Sequence, residues 1–263
     1  MATEPTEPEP LQPEPVLGAQ RQRDLLTLIR STGVTHVSEL TRTSGASAAT
    51  IRRDLAELER RGLIERVHGG AMPALRDEPI RLLRGLERAE EKERIGRAAA
   101  RLVEPGTPIL IMGGTTTEAM VPFLADIPRL LVLTNSMGVA NRLADLPSAD
   151  VVVLGGVMRR DELSLLGDLT LRALEEFGVE TVFSGAYGVD PQIGVTGMHL
   201  VESQTDRALL RSGRLVLLAD HSKLTQRGPA RLIPFDEIDT LVTDRPLPEG
   251  FQGDSPAPTV VVA

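Results

Sequence analysis

Ser47-Ala48-Ala49-Thr50-Ile51-Arg52-Arg53-Asp54-Leu55 starts with a hydroxyl able to cap a helix and continues as a helical run with two adjacent arginines in its first turns. Ile51, Leu55 and Leu58 recur at spacings of four and three, so one face of this helix is apolar. Thr50, Arg52, Arg53 and Glu57 then point away from the core or toward its rim. Upstream, Leu25, Leu28 and Ile29 form the apolar face of a first helix, with Arg21, Arg23 and Arg30 left outside. Val37 and Leu40 give a second, shorter helix its buried side, and Gly45 supplies the positive φ of the tight turn after it. Downstream, Leu58, Gly62, Leu63, Ile64, Val67, Gly69 and Gly70 end the third helix and outline a small hairpin between Leu63 and Met72. This order is that of a winged helix-turn-helix, which lays its third helix in the major groove of duplex DNA. Ser47, Ala48, Thr50, Arg52 and Arg53 are therefore expected at the DNA surface, with Arg66 and His68 on the wing. Taken singly, each feature is weak, because an Arg-Arg pair is commonly a solvated helix face. Their order is far more specific.

Composition narrows the function classes. The 263 residues are 41% hydrophobic, enough to bury a sizeable core and form two domains. Only 2% are aromatic, which argues against base stacking on single-stranded nucleic acid. Cysteine is absent, so disulfides and thiolate metal sites are excluded and a reducing interior fits. No apolar run is long enough to span a bilayer and no signal-peptide pattern is present, so a cytoplasmic location without membrane partners is expected. No metal-ligand spacing occurs and no cofactor is expected. The net charge of -8 is unevenly spread: Arg21 to Arg66 carries nine Lys/Arg against six Asp/Glu, while Met1 to Gln20 carries four Glu and no base. A modestly basic head on an acidic body is consistent with site-specific binding of double-stranded DNA.

The Pro/Glu-rich residues 1–20 read as a disordered tail, 21–73 as the winged domain, 74–90 as a charged, Pro-marked linker and 91–263 as a larger domain. A helix through Ile95, Ala98, Leu102 and Val103 stops at Pro105-Gly106. Beyond it, short apolar runs alternate with helical stretches. The runs are Ile109-Leu110-Ile111, Leu130-Leu131-Val132-Leu133, Val151-Val152-Val153-Leu154, Thr181-Val182-Phe183, Leu215-Val216-Leu217-Leu218 and Thr240-Leu241-Val242. Helices pass through Met120, Phe123 and Leu124, through Leu171, Leu174 and Phe177, and through Ala208 and Leu209. Continuous apolar runs mark strands covered on both faces, hence a doubly wound α/β domain with a mostly parallel sheet. Such sheets bind ligands at the carboxyl ends of their strands.

Polar residues gather at those ends. Met112-Gly113-Gly114-Thr115-Thr116-Thr117 leads from a strand into a helix and reads equally as a phosphate cradle or as a tight turn capped by threonine. It is neither a P-loop nor a dinucleotide glycine pattern. Other strand ends carry Thr134-Asn135-Ser136, Gly155-Gly156, Gly185-Ala186-Tyr187-Gly188-Val189-Asp190 and Asp220-His221-Ser222-Lys223. Hydroxyls, the Asn135 amide, carboxylates and one lysine suit a phosphorylated polyol, with Lys223 as a point charge and Asp190 or Asp220 accepting from sugar hydroxyls. The simpler alternative makes Asp190 and Asp220 turn caps, Lys223 the partner of a carboxylate and His221 a solvated loop residue.

The head resembles the DeoR family of bacterial regulators. The match runs through Arg21, Leu25, Ile29, Ser47, Thr50, Ile51, Arg52, Arg53, Asp54 and Leu55, then the wing Arg66-Val67-His68-Gly69-Gly70-Ala71. From about Glu91 to Asp244 the chain also resembles that family's sensor domain, whose fold is similar to ribose-5-phosphate isomerase and the CoA-transferase group. Gly113 to Thr117 match the family's phosphate loop, and Leu218 to Lys223 match a shared Asp-x-Ser-Lys segment. Ser184 and Tyr187 depart from the isomerases, which place acidic residues there, and Tyr187 is the only tyrosine. Isomerisation needs a carboxylate base at the substrate carbon, and Glu202 lies in the relevant region without aligning to it. The resemblance implies a homo-oligomeric regulator, dimer or tetramer and not an enzyme, that represses a carbohydrate-metabolism operon and is released by a phosphorylated sugar. The alternatives are a sugar-phosphate isomerase-like enzyme carrying a DNA-binding head, and a regulator whose large domain only oligomerises.

Overall fold

Three short helices with their leucines and isoleucines turned toward one another make the core of the head. The computed structural model describes residues 14–32, 34–60, 63–67, 69–73, 81–200, 203–249, 251 and 257–263. The chain divides into two units, Met1–Asp77 and Glu78–Ala263. In the first, α1 (Glu14–Thr32) buries Leu25, Leu26 and Ile29, α2 (Val37–Ser44) buries Leu40, and α3 (Ala48–Arg60) buries Ile51, Leu55 and Leu58. Gly45 closes α2 at φ 69°, a left-handed value that costs a side-chain-bearing residue about 1 kcal/mol or more. A two-residue strand β1 (Thr35–His36) pairs with β3 (Gly70–Pro73), which also pairs antiparallel with β2 (Ile64–Val67) to form the wing.

The expected tail is shorter than 20 residues at its inner end, because residues 14–20 are the first turns of α1. A first-turn proline is tolerated there, since the leading N–H groups have no intrahelical acceptor. Gln20 already makes a helical i,i+4 bond to Asp24 at 3.1 Å. Residues 1–13 lie outside the described set. The expected linker over 74–90 is likewise interrupted, by α4 (Arg81–Leu86) and the start of α5 (Ala89–Ala100).

In the second unit α5 leads into β4 (Pro108–Ile111), α6 (Thr115–Met120), β5 (Leu130–Thr134), α7 (Met137–Leu143) and β6 (Ala149–Val153). A hairpin follows, β7 (Val157–Arg159) and β8 (Ser164–Leu166), then α8 (Asp168–Glu175) and β9 (Thr181–Gly185). Next come β10 (Gly188–Asp190), β11 (Gly194–Gly197), α9 (Ser203–Leu210), β12 (Arg214–Leu218), β13 (Ala230–Ile233), β14 (Thr240–Thr243) and β15 (Thr259–Val262). Seven strands form one sheet in the order β15-β14-β12-β9-β4-β5-β6, and every neighbouring pair is parallel. Alternate residues face opposite layers. Ile109, Ile111, Val132, Val216 and Leu218 pack with α5, α6 and α7, while Leu110, Leu133, Leu215 and Leu217 pack with α9 and the small sheet β10-β11-β13. Covering both faces is why these strands read as unbroken apolar runs.

From β4 the chain winds outward through β5 to β6, whereas from β9 it winds the other way through β12, β14 and β15. Adjacent β4 and β9 thus flank the switch point, where the loops diverge and leave a crevice.

Candidate functional site

On the head, Ser47 opens α3: its Oγ accepts the Thr50 N–H at 3.2 Å and lies 2.9 Å from the Thr50 hydroxyl. Ala48 and Thr50 are half-buried, and with the leucines turned inward Arg52 and Arg53 are exposed. Arg66 is exposed on β2, where its backbone N–H donates to Glu59 at 3.3 Å and its guanidinium lies 3.8 Å from the same carboxylate. His68 lies outside the described residues. Arg21 is not left outside as expected. Its Nε donates to buried Asp54 at 2.7 Å, and Gln22 donates to the other carboxylate oxygen at 3.1 Å. That hydrogen bond raises the Arg21 guanidinium above its ordinary range. Arg21 and Asp54 therefore tie α1 to α3 rather than facing a ligand.

In the second unit a cleft of about 140 Å³ opens at the switch point. Gly113, Gly114, Thr115 and Thr116 line it from β4, Ser184 to Tyr187 from β9, and Asp220 and Lys223 from β12. Gly113 sits where a Cβ would stand 3.3 Å from Ser136, so the loop lies close against the end of β5. Asp220 accepts the Ser222 N–H at 3.0 Å and its hydroxyl at 2.5 Å, so it caps a turn and lines the cleft at once. Lys223 donates to Gln226 at 3.1 Å, and its Nζ lies 5.7 Å from the centre of the Tyr187 ring.

Three expected ligand residues do not line this cleft. The Thr117 hydroxyl turns back to the carbonyls of Met112 and Gly114, at 2.8 and 2.9 Å, and fixes the loop from within. Asn135 is buried and donates to the Leu165 carbonyl at 3.2 Å, joining β5 to β8. Asp190 accepts the N–H groups of Gln192 and Ile193 at 2.9 Å and Arg227 at 2.7 Å. Burial pushes its carboxyl upward, but those N–H donors and Arg227 outweigh burial and hold it below the usual carboxylate range. For Asp190 the turn-cap reading is the one that fits. His221 is paired with buried Asp244, Nδ1 to Oδ2 at 2.7 Å, rather than loose in solvent.

The cleft also takes residues that the sequence reading did not single out: Arg84, Glu87, Arg88, Lys92, Arg159 and Glu162. Lys92 is the most telling. Its Nζ donates to the Glu87 carbonyl at 2.8 Å and to the Arg84 carbonyl. Burial lowers its pKa to about 8, against the attraction of Asp220. Arg88 adopts φ 51° and ψ 44° where α4 turns into α5, and its Nε reaches to 3.7 Å from Asp220. One signal for Lys92 was present: it precedes Ile95 by three positions and so shares the buried face of α5. The assembled chemistry is that of an anion site, with ammonium and guanidinium groups beside a loop of backbone N–H groups and hydroxyls. Four carboxylates share the lining, Glu87, Glu162, Asp206 and Asp220; Glu162 is bonded to Arg84, and Asp220 to Ser222. Among the described residues no group of three His, Asp or Glu side chains is placed to hold a metal, and no helix is long and apolar enough to cross a membrane.

Residues 21–74 match the DeoR-like helix-turn-helix domain, and residues 87–245 match the DeoR C terminal sensor domain. The HTH-type transcriptional regulator GolR of Listeria innocua is 32% identical over 231 residues, 86% of this chain and 90% of its own. The glycerol-3-phosphate regulon repressor of Escherichia coli K12 is 32% identical over 87% of this chain and 92% of its own. Among solved structures, ribose 5-phosphate isomerase A from Neisseria gonorrhoeae overlays on 52% of this chain and 54% of its own at TM-score 0.38 and 18% identity, too distant a likeness to bear on chemistry. With both domains matched in order and relatives aligned over most of its length, the chain belongs to the DeoR family of transcriptional regulators.

Proposed function

We propose that the chain represses a carbohydrate-metabolism operon and leaves its operator when a phosphorylated sugar occupies the cleft. The observation that carries this reading is buried Lys92, which shares the cleft with Lys223 and the Gly113–Thr116 loop. A dianion is the ligand that such a group rewards most, because the charged form of a buried lysine is otherwise disfavoured. The relative named as a glycerol-3-phosphate regulon repressor supports the same ligand class. Arg52 and Arg53 read base edges or phosphates, Ser47, Ala48 and Thr50 set the helix end against the backbone, and Arg66 reaches from the wing, with His68 assigned to the same contact by its place in the sequence.

Repression requires paired heads, since one small module buries too little surface for operator affinity. A homo-oligomer, dimer or tetramer, is supported by Val153, Val157, Met158 and Leu169, which are 42, 76, 46 and 64% exposed along and just beyond edge strand β6. We read the cleft as a binding site rather than a catalytic one: of its carboxylates, Asp220 already accepts from the Ser222 hydroxyl and Glu162 from the Arg84 guanidinium. Glu202 falls outside the described residues. The site of action is the cytoplasm, where operator and metabolite meet.

The test is thermal denaturation of the full chain with glycerol 3-phosphate, ribose 5-phosphate and fructose 6-phosphate, beside gel shifts on DNA flanking its own gene. At least one sugar phosphate is expected to raise the melting temperature and to lower the bound DNA, with the unphosphorylated sugar inert. Equal effects of sugar and sugar phosphate, or turnover of ribose 5-phosphate, overturn the reading.

A further inference from the structure

Arg84 and Glu162 form an ion pair inside the cleft, and their side chains are only 16 and 14% exposed. Arg84 comes from α4 and Glu162 from the turn between β7 and β8. Among the described residues Glu162 has no other hydrogen-bond partner. A carboxylate in a site built for an anion is an odd tenant, because it repels the ligand unless it gives way. It is also the side chain that best imitates one, since guanidinium binds carboxylate and phosphate through the same forked geometry. Of the carboxylates lining the cleft, Glu87, Glu162, Asp206 and Asp220, Glu162 is the one paired with the Arg84 guanidinium, and Asp220 is fixed instead by the Ser222 N–H and hydroxyl. The backbone beneath Arg84 is held in register with the rest of the cleft, because Lys92 donates to the Arg84 and Glu87 carbonyls.

We infer that Arg84 is a ligand-binding side chain and that Glu162 occupies it as an internal stand-in for the phosphate until the effector displaces that carboxylate. This rests on the sugar-phosphate reading of the cleft and adds to it a residue pair that sets the threshold for the effector. The exchange is one of ion-pair partners, with no bond made or broken: phosphate takes the Arg84 guanidinium, and Glu162 swings to water with its charge.

A double-mutant cycle on the full chain tests it, with inorganic phosphate as the probe in isothermal titration calorimetry at fixed ionic strength. Glu162→Gln, which keeps size and hydrogen-bonding capacity, is expected to tighten phosphate by about tenfold, as removal of a competing charge at contact distance should. Arg84→Met is expected to weaken it by at least about tenfold, the ordinary worth of a charge-assisted hydrogen bond. In the Arg84→Met background, Glu162→Gln is expected to bring no gain. If Arg84→Met does not fold, Arg84→Lys, which keeps the charge but loses the fork, closes the same cycle with a reduced gain. An equal gain from Glu162→Gln in both backgrounds means a general field effect and overturns the inference while leaving the cleft reading intact. So does unchanged affinity in Glu162→Gln. Absence of phosphate binding in the wild type and in Glu162→Gln alike overturns the cleft reading itself, and this inference with it.

Discussion

Arg21 and Arg52 carry the same guanidinium on the same small unit, and their surroundings separate them. Arg21 is bonded to buried Asp54, while Arg52 is exposed on the far side of α3. Truncating Asp54 to Ala should therefore destabilise the head by about 1–3 kcal/mol, the cost of leaving charged hydrogen bonds unmade. Arg52→Ala and Arg53→Ala should leave stability within about 0.5 kcal/mol and weaken operator discrimination by about 1–3 kcal/mol. Urea melts and gel shifts on the same preparations separate the two effects; operator binding unaltered in both arginine variants would remove α3 as the reading helix. Lys92 gives a pH signature. Its folded pKa, about 8, lies below the ordinary 10.5, so between those values the unfolded chain binds more protons and stability rises with pH. Phosphate needs the charged ammonium, so ligand affinity should fall over the same window. Lys92→Met should abolish both trends and lose most ligand affinity at neutral pH, while relief of a desolvated charge offsets the two carbonyl hydrogen bonds given up. Calorimetric titrations from pH 7 to about 10, spanning the lysine range, check this, and a parallel fall of affinity in Lys92→Met would contradict it.

At the scale of elements, what could be read depended on whether local pattern or tertiary packing set the outcome. The six apolar runs all became strands of the parallel sheet, since burial on both faces leaves an unbroken signature. The seventh strand, β15, is also such a run, Thr259-Val260-Val261-Val262, but it is not among the six named from sequence; it lies beyond the Pro- and Gly-bearing residues 246–258, at the far edge of the sheet. Strands of two to four residues such as β1, β10, β11 and β13 are too short to show a period. The same division governs the cleft. Gly113 to Thr116, Tyr187, Asp220 and Lys223 were legible because a parallel sheet delivers its strand ends to one place. Thr117 turns away from the cleft because two steps along a helical turn carry a side chain about 200° around the axis from Thr115. Lys92 and Arg84 come from helices that precede the sheet, and only packing brings them over the loop. Gly96 makes that packing possible: a Cβ there would lie 2.7 Å from the backbone of Ala119 and Met120, so α5 rests directly on α6. Gly96→Ala should then cost about 1–3 kcal/mol through overpacking. Because Lys92 sits one turn away on the same helix, ligand affinity should fall with it. A thermal melt and a phosphate titration on this variant decide the matter; wild-type values in both would mean that α5 is free to shift without consequence.

At the scale of the whole molecule, DNA and ligand are handled by separate compact units, so regulation requires a coupling free energy between them. A ligand releases DNA only if it binds the released arrangement better than the bound one. Within the second unit α4 is the helix that such a ligand would load, because its Arg84 lies in the cleft and its Arg81 is paired with buried Glu118 on α6. Two kinds of failure should consequently be separable in the intact protein. Arg52→Ala should bind the operator more weakly yet still be stabilised by the sugar phosphate, since nothing in its cleft has changed. Lys92→Met should hold the operator as tightly as the wild type and stay bound as ligand is added, behaving as a permanent repressor. With couplings of about 1–3 kcal/mol, the wild type should lose about 5- to 150-fold in operator affinity at saturating ligand, against a change close to onefold in Lys92→Met. Gel shifts over a ligand series, with melting temperatures on the same samples, measure both quantities. Release of Lys92→Met at wild-type ligand concentrations would mean that the signal enters elsewhere than this cleft, and loss of ligand stabilisation in Arg52→Ala would mean that the two units are not energetically distinct.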